Sequence, residues 1–132
     1  MSDLTGVSVL LLEDEYLIAL DAELSLKDFG VERVEIASTL QEAERLAAAG
    51  RYDVALLDVN INGEMSFALA ESLRRRGIPV VFATGYELNS RDALPTEVGI
   101  MISKPYTREK LRDALASAVG ASRSGSGSSV TI

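Results

Sequence analysis

Short apolar runs alternate along the chain with longer segments in which apolar residues recur every three or four positions. The short runs are rich in branched side chains, which is typical of β-strands, and the longer segments have the spacing of amphipathic helices. Five strands are predicted, at residues 7–12, 33–37, 53–57, 79–83 and 99–102. Four helices are predicted from the apolar sets Leu17, Leu20 and Leu24; Leu40, Ala43 and Ala47; Phe67, Ala70 and Leu73; and Leu111, Leu115 and Ala118. A weaker helix is predicted at 88–94.

The order of these elements predicts an α/β fold. Strand and helix alternate five times, which indicates right-handed crossovers and a parallel sheet covered on both faces. We therefore expect a single flavodoxin-like, doubly wound (βα)5 domain at residues 1–119, with strand order 2-1-3-4-5. In the remaining segment, 120–132, eight of thirteen residues are Ser or Gly, which predicts a flexible tail.

Composition removes several classes of function. The chain has 132 residues, enough for one domain, and its longest apolar run is the five residues 16–20. A membrane span needs about 20 such residues, so we expect no membrane insertion and a cytoplasmic protein. A net charge of -7 argues against direct binding to nucleic acid. Because cysteine and histidine are absent, disulfides, zinc sites of the usual ligands and Ser-His-Asp catalysis are excluded.

Polar residues follow four of the predicted strands. Glu13 and Asp14 follow the first strand, Asp58 the third, Thr84 the fourth and Lys104 the fifth. In the predicted strand order these strands are successive neighbours, and ligands of open α/β sheets bind beyond the carboxyl ends of the strands. We therefore expect these five side chains to share one crevice.

The residue types in this crevice suit phosphoryl transfer. Carboxylates about 4 Å apart repel by roughly 4 kcal/mol at an effective dielectric constant near 20, so Glu13, Asp14 and Asp58 need positive charge. Lys104 supplies one charge, and the oxygen-only ligand set favours Mg²⁺ or Mn²⁺ for the rest. Asp58 is the candidate nucleophile, forming an aspartyl-phosphate, with Lys104 and the Thr84 hydroxyl on the phosphoryl oxygens.

Four sequence elements resemble the receiver domain of two-component response regulators over about residues 7–119. They are Glu13-Asp14-Glu15, Leu57-Asp58, Thr84 and Lys104-Pro105-Tyr106. The resemblance implies a protein-binding switch rather than an enzyme, in which Asp58 accepts a phosphoryl group from the phosphohistidine of a histidine kinase. It implies Mg²⁺ bound by Asp14, Asp58 and the backbone carbonyl of Asn60, with Glu13 acting through water. It also implies a cis peptide before Pro105, and leaves the downstream partner protein unidentified.

A narrower likeness lies in residues 79–86, Pro-Val-Val-Phe-Ala-Thr-Gly-Tyr. They resemble the FATGUY subfamily of receivers, often single-domain proteins of alphaproteobacteria that work with HWE and related histidine kinases. The chain departs from the usual receiver at three positions, with Asn62 in place of a proline, Ser66 in place of a glycine and Met101 in place of an aromatic switch residue. Gly85 and the weak helical pattern after it predict a mobile segment at 85–94.

Two other functions use related residues. A phosphatase of the haloacid-dehalogenase type also has an aspartate nucleophile, a threonine, a lysine and Mg²⁺, but needs a second aspartate where this chain has Asn60. A flavodoxin-like protein that binds FMN needs a phosphate loop rich in Ser, Thr or Gly after the first strand. Three acidic residues, 13–15, occupy that loop and would repel the phosphate.

Overall fold

The computed structural model describes residues 4–85 and 100–130, with the backbone alone for 123–130. In this part of the chain there are seven strands and four helices. The strands are β1 (Ser8–Leu12), β2 (Arg33–Ala37), β3 (Val54–Asp58), β4 (Asn60–Ile61), β5 (Glu64–Met65), β6 (Val80–Thr84) and β7 (Ile100–Ser103). The helices are α1 (Tyr16–Asp28), α2 (Leu40–Ala49), α3 (Phe67–Arg75) and α4 (Arg108–Val130).

Five strands form one parallel sheet in the order β2-β1-β3-β6-β7. This confirms the predicted flavodoxin-like order, since β6 and β7 are the fourth and fifth strands expected from the sequence. The predicted strand bounds are off by one residue in most cases. The difference matters at β3, which includes Asp58 as its last residue, paired with Ala83 in the register of β6.

Helices cover both faces of the sheet. One face carries α1 and α4, and the other carries α2 and α3. Strand residues alternate between the two layers, so that Val9 and Leu11 pack beneath the first pair while Leu10 and Leu12 pack beneath the second. Because both faces are covered, the central strands are apolar at nearly every position, as the sequence pattern indicated.

The apolar face predicted for α1 is wrong. Leu17 and Leu24 are 76% and 59% exposed, whereas Ala19, Ala22 and Leu26 are buried against the sheet. The small alanine side chains let α1 pack closely against the strands. The shape of the sheet surface, and not the size of the apolar side chains, therefore decides which face of α1 is buried. In α2, by contrast, the predicted set of Leu40, Ala43 and Ala47 is buried as expected.

A two-stranded antiparallel hairpin, β4–β5, follows β3 and was not predicted. Asn62 and Gly63 form its tip with φ values of 54° and 88°. Positive φ at both central positions is what a two-residue type I′ turn requires, and Asn-Gly is the favoured pair for it. The Ser66 N–H donates to the Val59 carbonyl at 3.0 Å and closes the base of the hairpin.

Four predictions concern the C-terminal end of the chain and the segment before β7. The backbone of α4 continues beyond Gly120, where the sequence predicted the start of the tail, to Val130. The extent of the domain as 1–119 and the flexibility of 120–132 stay predictions. The predicted helix at 88–94 and all but the first residue of the segment 85–94 lie outside the described residues. Among the helices of residues 4–85 and 100–130, none is long and apolar enough to cross a membrane.

Candidate functional site

The carboxyl edge of the sheet gathers the predicted site residues. Neighbouring strands end level with one another, since Leu12 pairs with Leu57, Asp58 with Ala83 and Thr84 with Ser103. The residues that end these strands or directly follow them therefore meet at one rim. Of the buried polar and charged side chains among the described residues, all but Ser25 belong to this edge or to the segment that returns from the hairpin: Glu13, Asp58, Ser66 and Thr84.

Lys104 joins two carboxylates that come from different strands. Its Nζ lies 2.6 Å from Glu13 Oε1 and 2.9 Å from Asp58 Oδ2. The lysine is itself held by the main chain, because its N–H donates to the Thr84 carbonyl at 2.8 Å. The peptide between Lys104 and Pro105 is cis, as the resemblance to receivers implied. A single ammonium group thus links the ends of β1 and β3 from the end of β7.

Burial and charge act in opposite directions on this group of side chains. Burial raises the pKa of Glu13 above its ordinary value, although the hydrogen bonds from Lys104 and from the Glu15 N–H oppose that rise. Burial alone would lower the pKa of Lys104, but its contacts with Glu13 and Asp58 outweigh burial and raise that pKa. Lys104 is therefore firmly protonated, and the interaction is an ion pair with two acceptors.

The carboxylates form a compact acidic cluster. Glu13, Asp14 and Asp58 each place one carboxylate oxygen within 4.8 Å of the others. Glu13 and Asp58 are buried, whereas Asp14 is exposed. Three carboxylates against one lysine leave the cluster short of positive charge, and the donor set consists of oxygen alone. A hard divalent cation that keeps some of its water, such as Mg²⁺, fits this donor set.

An open cavity of about 400 Å³ adjoins the cluster. Its lining residues come from the acidic loop after β1, the end of β3, the hairpin and the loops after β6 and β7: Asp14, Glu15, Asp58, Asn60, Asn62, Gly63, Gly85 and Lys104. Among the predicted site residues, Glu13 and Thr84 are buried and are not part of this lining. The structure thus brings together all the residues expected at one crevice, in two groups that differ in access to solvent.

Two features of the site were missed in the sequence analysis. The hairpin forms one wall of the cavity through its tip, and the Asn60 side chain accepts a hydrogen bond from the Gly63 N–H at 2.8 Å. The Asn-Gly pair is a recognised signal for such a turn, so the hairpin was predictable. The second feature is Ser66, whose hydroxyl donates to the Asp58 carbonyl at 2.7 Å. No local pattern signals a contact between residues eight positions apart across a turn.

Residues 9–116 match the family described as the response regulator receiver domain. The chain belongs to this family. Domains of this class act as signalling switches rather than as conventional enzymes, and histidine kinases are their partners. The fold, the acidic cluster and the lysine that pairs with Glu13 and Asp58 are thus those of a receiver domain, and the family gives no support to the phosphatase alternative.

Individual relatives agree with the family. The receiver domain is 29% identical over 104 residues to the phyllosphere-induced regulator PhyR of Methylorubrum extorquens, covering 76% of this chain and 39% of that protein. Among solved structures, SdrG of Sphingomonas melonis is 36% identical with a TM-score of 0.68, covering 90% of this chain and 98% of that one. A CheY-like receiver of Methanospirillum hungatei is 21% identical with a TM-score of 0.80, covering 92% and 99% of the two chains. The chain spans less than half the length of the curated relatives that it matches.

Proposed function

We propose that the receiver domain accepts a phosphoryl group on Asp58 from the phosphohistidine of a histidine kinase. A carboxylate oxygen of Asp58 would bond to phosphorus as the bond between phosphorus and the kinase imidazole nitrogen breaks. The imidazole leaves with the electron pair of that bond, so no other reactant is needed. The observation that carries the proposal is the bridge from Lys104 Nζ to Glu13 and Asp58 beside an open cavity.

The residues divide the work according to their access to the cavity. Lys104 would pass from its Asp58 carboxylate oxygen to a phosphoryl oxygen, and the Thr84 hydroxyl would contact another. Asp14, Asp58 and the main-chain carbonyl of Asn60 would hold Mg²⁺, with Glu13 acting through water. When bound, the metal supplies positive charge for the phosphoryl oxygens. Asp14 and Asn60 fit this role because both line the cavity, next to Asp58.

The residue type at position 60 favours phosphoryl acceptance over repeated phosphatase turnover. A phosphatase of the haloacid-dehalogenase type needs a carboxyl group two residues after its nucleophile to act as general acid. The Asn60 side chain is an amide, and its oxygen accepts the Gly63 N–H at the turn. It has no proton of suitable acidity to give, which favours a stable aspartyl-phosphate over repeated hydrolysis.

The run Phe82-Ala83-Thr84-Gly85 and the tyrosine after it support a narrower assignment within the family. We infer membership of the FATGUY subfamily and a kinase of the HWE or a related class. Phosphorylation would then switch contacts with a downstream protein, without direct contact with nucleic acid. The proposed location is the cytoplasm, where a kinase finds ATP.

Intact mass after incubation with Mg²⁺ and phosphoramidate tests the proposal. We expect the wild-type protein to gain one phosphoryl group, and Asp58→Asn to gain none. Asp113→Asn, which changes an exposed aspartate on α4, is the matched control and should behave as the wild type. EDTA should abolish the gain. Phosphorylation of Asp58→Asn to the same extent as the wild type would contradict the proposal.

A further inference from the structure

Ser66 fixes the main chain on the carboxyl side of the phosphoryl acceptor. It is fully buried at the base of the hairpin, directly before α3. Its hydroxyl donates to the Asp58 carbonyl at 2.7 Å, and its N–H donates to the Val59 carbonyl at 3.0 Å. One residue thus holds two successive carbonyls, the first belonging to the acceptor itself.

The Ser66 hydroxyl donates to the Asp58 carbonyl but accepts no hydrogen bond from the helix that follows it. Ser66 is the N-cap of α3, and an N-cap serine ordinarily accepts a hydrogen bond from an N–H of the first helical turn. Thr39 does so at the start of α2, where its Oγ1 accepts the Glu42 N–H at 3.1 Å. Ser66 makes no such bond. The side-chain hydrogen bonds of Ser66 are thus made to the carbonyls of Asp58 and Val59, and not to the first turn of α3.

The orientation of the Asp58 carbonyl affects the geometry of the site on both sides of it. The peptide that contains it connects the acceptor side chain to Val59 and Asn60, so its rotation would move both the acceptor and the Asn60 wall of the cavity. A buried carbonyl that loses its donor must turn toward another partner, because an unsatisfied buried polar group is unfavourable. The usual receiver has glycine at this position, so the hydroxyl is a feature of the loop in this chain.

We propose that Ser66 is a positioning residue that sets the geometry of Asp58 and Asn60 for Mg²⁺ binding and phosphoryl acceptance. The inference rests on the proposed function of Asp58. It predicts that removal of the hydroxyl weakens the site more than it weakens the fold. Groups that orient metal ligands from the outer shell typically change metal affinity or activity by about 10- to 100-fold when mutated.

Ser66→Ala tests this directly against Ser25→Ala. Ser25 is another buried serine, 5% exposed, and lies on α1 away from the hairpin. The measurements are the Mg²⁺ Kd by calorimetry, the rate of phosphorylation by phosphoramidate at saturating Mg²⁺, and the thermal midpoint. We expect Ser66→Ala to raise the Kd and to lower the rate, each by about tenfold or more. We expect Ser25→Ala to match the wild type in both.

The outcomes separate positioning from simple loss of stability. If Ser66→Ala lowers the thermal midpoint but leaves the Kd and the rate at wild-type values, the proposal is overturned while the proposed function stands. If the wild-type protein itself neither binds Mg²⁺ nor gains a phosphoryl group, the proposed function fails and this inference fails with it. Should Ser66→Ala not fold, Ser66→Cys keeps a similar volume with a weaker donor, and a Kd equal to that of the wild type would overturn the proposal.

Discussion

The two halves of the site treat charge differently. In the buried half, Glu13 and Asp58 share the ammonium group of Lys104, and the side chains of all three are at most 13% exposed. In the open half, the exposed Asp14 lines the cavity with the tip of the hairpin, and within residues 4–85 and 100–130 no ion pair joins its carboxylate to a cation. The carboxylates of the buried half are paired with a lysine of the protein, whereas the carboxylate of the open half is accessible to a cation from solution.

This difference shows why two adjacent acidic residues have separate roles. Glu13 has an ion pair and accepts the Glu15 N–H, so its carboxylate is already used by the fold. Asp14 adds negative charge next to it and has no ion pair within residues 4–85 and 100–130, so a cation from solution would relieve the repulsion. In the metal-free protein, loss of Lys104 should therefore lower the stability, whereas loss of Asp14 should act mainly on metal binding.

The largest effect is expected from Lys104→Met. Removing the ammonium group leaves Glu13 and Asp58 buried without a counter-charge, and breaking a buried pair in this way typically costs about 3–5 kcal/mol. We expect a loss of that size in the free energy of unfolding at pH 7, measured by urea denaturation without Mg²⁺. The loss should shrink as the pH falls, because burial raises the pKa of Glu13 and its protonation removes an unpaired buried charge.

Lys110→Met is the control for Lys104→Met. It removes the same charge and adds the same side chain at an exposed position on α4. Its effect on unfolding should be small, since an exposed lysine contributes within about 1 kcal/mol. Equal losses from the two variants would contradict the view that the buried half is held together by its ion pairs.

An intermediate effect is expected from Asp14→Asn. The metal-free protein should keep its stability or gain slightly, because one charge of a repelling cluster is removed. The Mg²⁺ Kd should rise by about tenfold or more, since loss of a direct ligand is expected to exceed the loss of an outer-shell partner. Glu15→Gln is the control, because Glu15 lines the same cavity but lies outside the carboxylate cluster. If both variants bind Mg²⁺ equally, Asp14 has no special role.

The smallest effect is expected from Gly63→Ala, compared with Gly77→Ala. Both glycines have positive φ, 88° and 84°, and an added Cβ would meet no atom within 4 Å at either position. Each variant should therefore lose about 1 kcal/mol of unfolding free energy through backbone strain alone. Only Gly63 lies at the cavity, so only Gly63→Ala should also weaken Mg²⁺ binding in calorimetry. Weaker binding in both variants would show that general destabilisation is the cause.

Much of the fold was predictable from the sequence. The apolar strands and the order of elements predicted the parallel sheet and its strand order, because covered strands have few other arrangements. The inward face of α1 was not predictable from leucine spacing. Leu17 and Leu24 fit a helical stripe as well as Ala19, Ala22 and Leu26 do, and only packing against the sheet distinguishes the two stripes.

The candidate site was predictable to the level of residue types at strand ends. Lys104, Glu13 and Asp58 were expected at one rim, and their observed contacts agree with that expectation. The local pattern did not distinguish Glu13 from Asp14, because adjacent acidic residues in a loop carry no mark of which one turns inward; only the resemblance to receivers implied separate roles for them. The sequence shows Ser66 only as a departure from the receiver pattern and gives no sign that its hydroxyl donates to the Asp58 carbonyl.

The sequence by itself determined the layered α/β fold, the family and the set of acidic, hydroxyl and lysine residues available to the site. These follow from periodicity and from placement at strand ends, which are local properties of a chain. Tertiary structure decided which carboxylate is paired with Lys104, which is open to solvent, and where the Ser66 hydroxyl donates. Each of these depends on burial and on distances between segments far apart along the chain. Residues 13 and 104 lie 91 positions apart in the sequence, yet they meet at 2.6 Å.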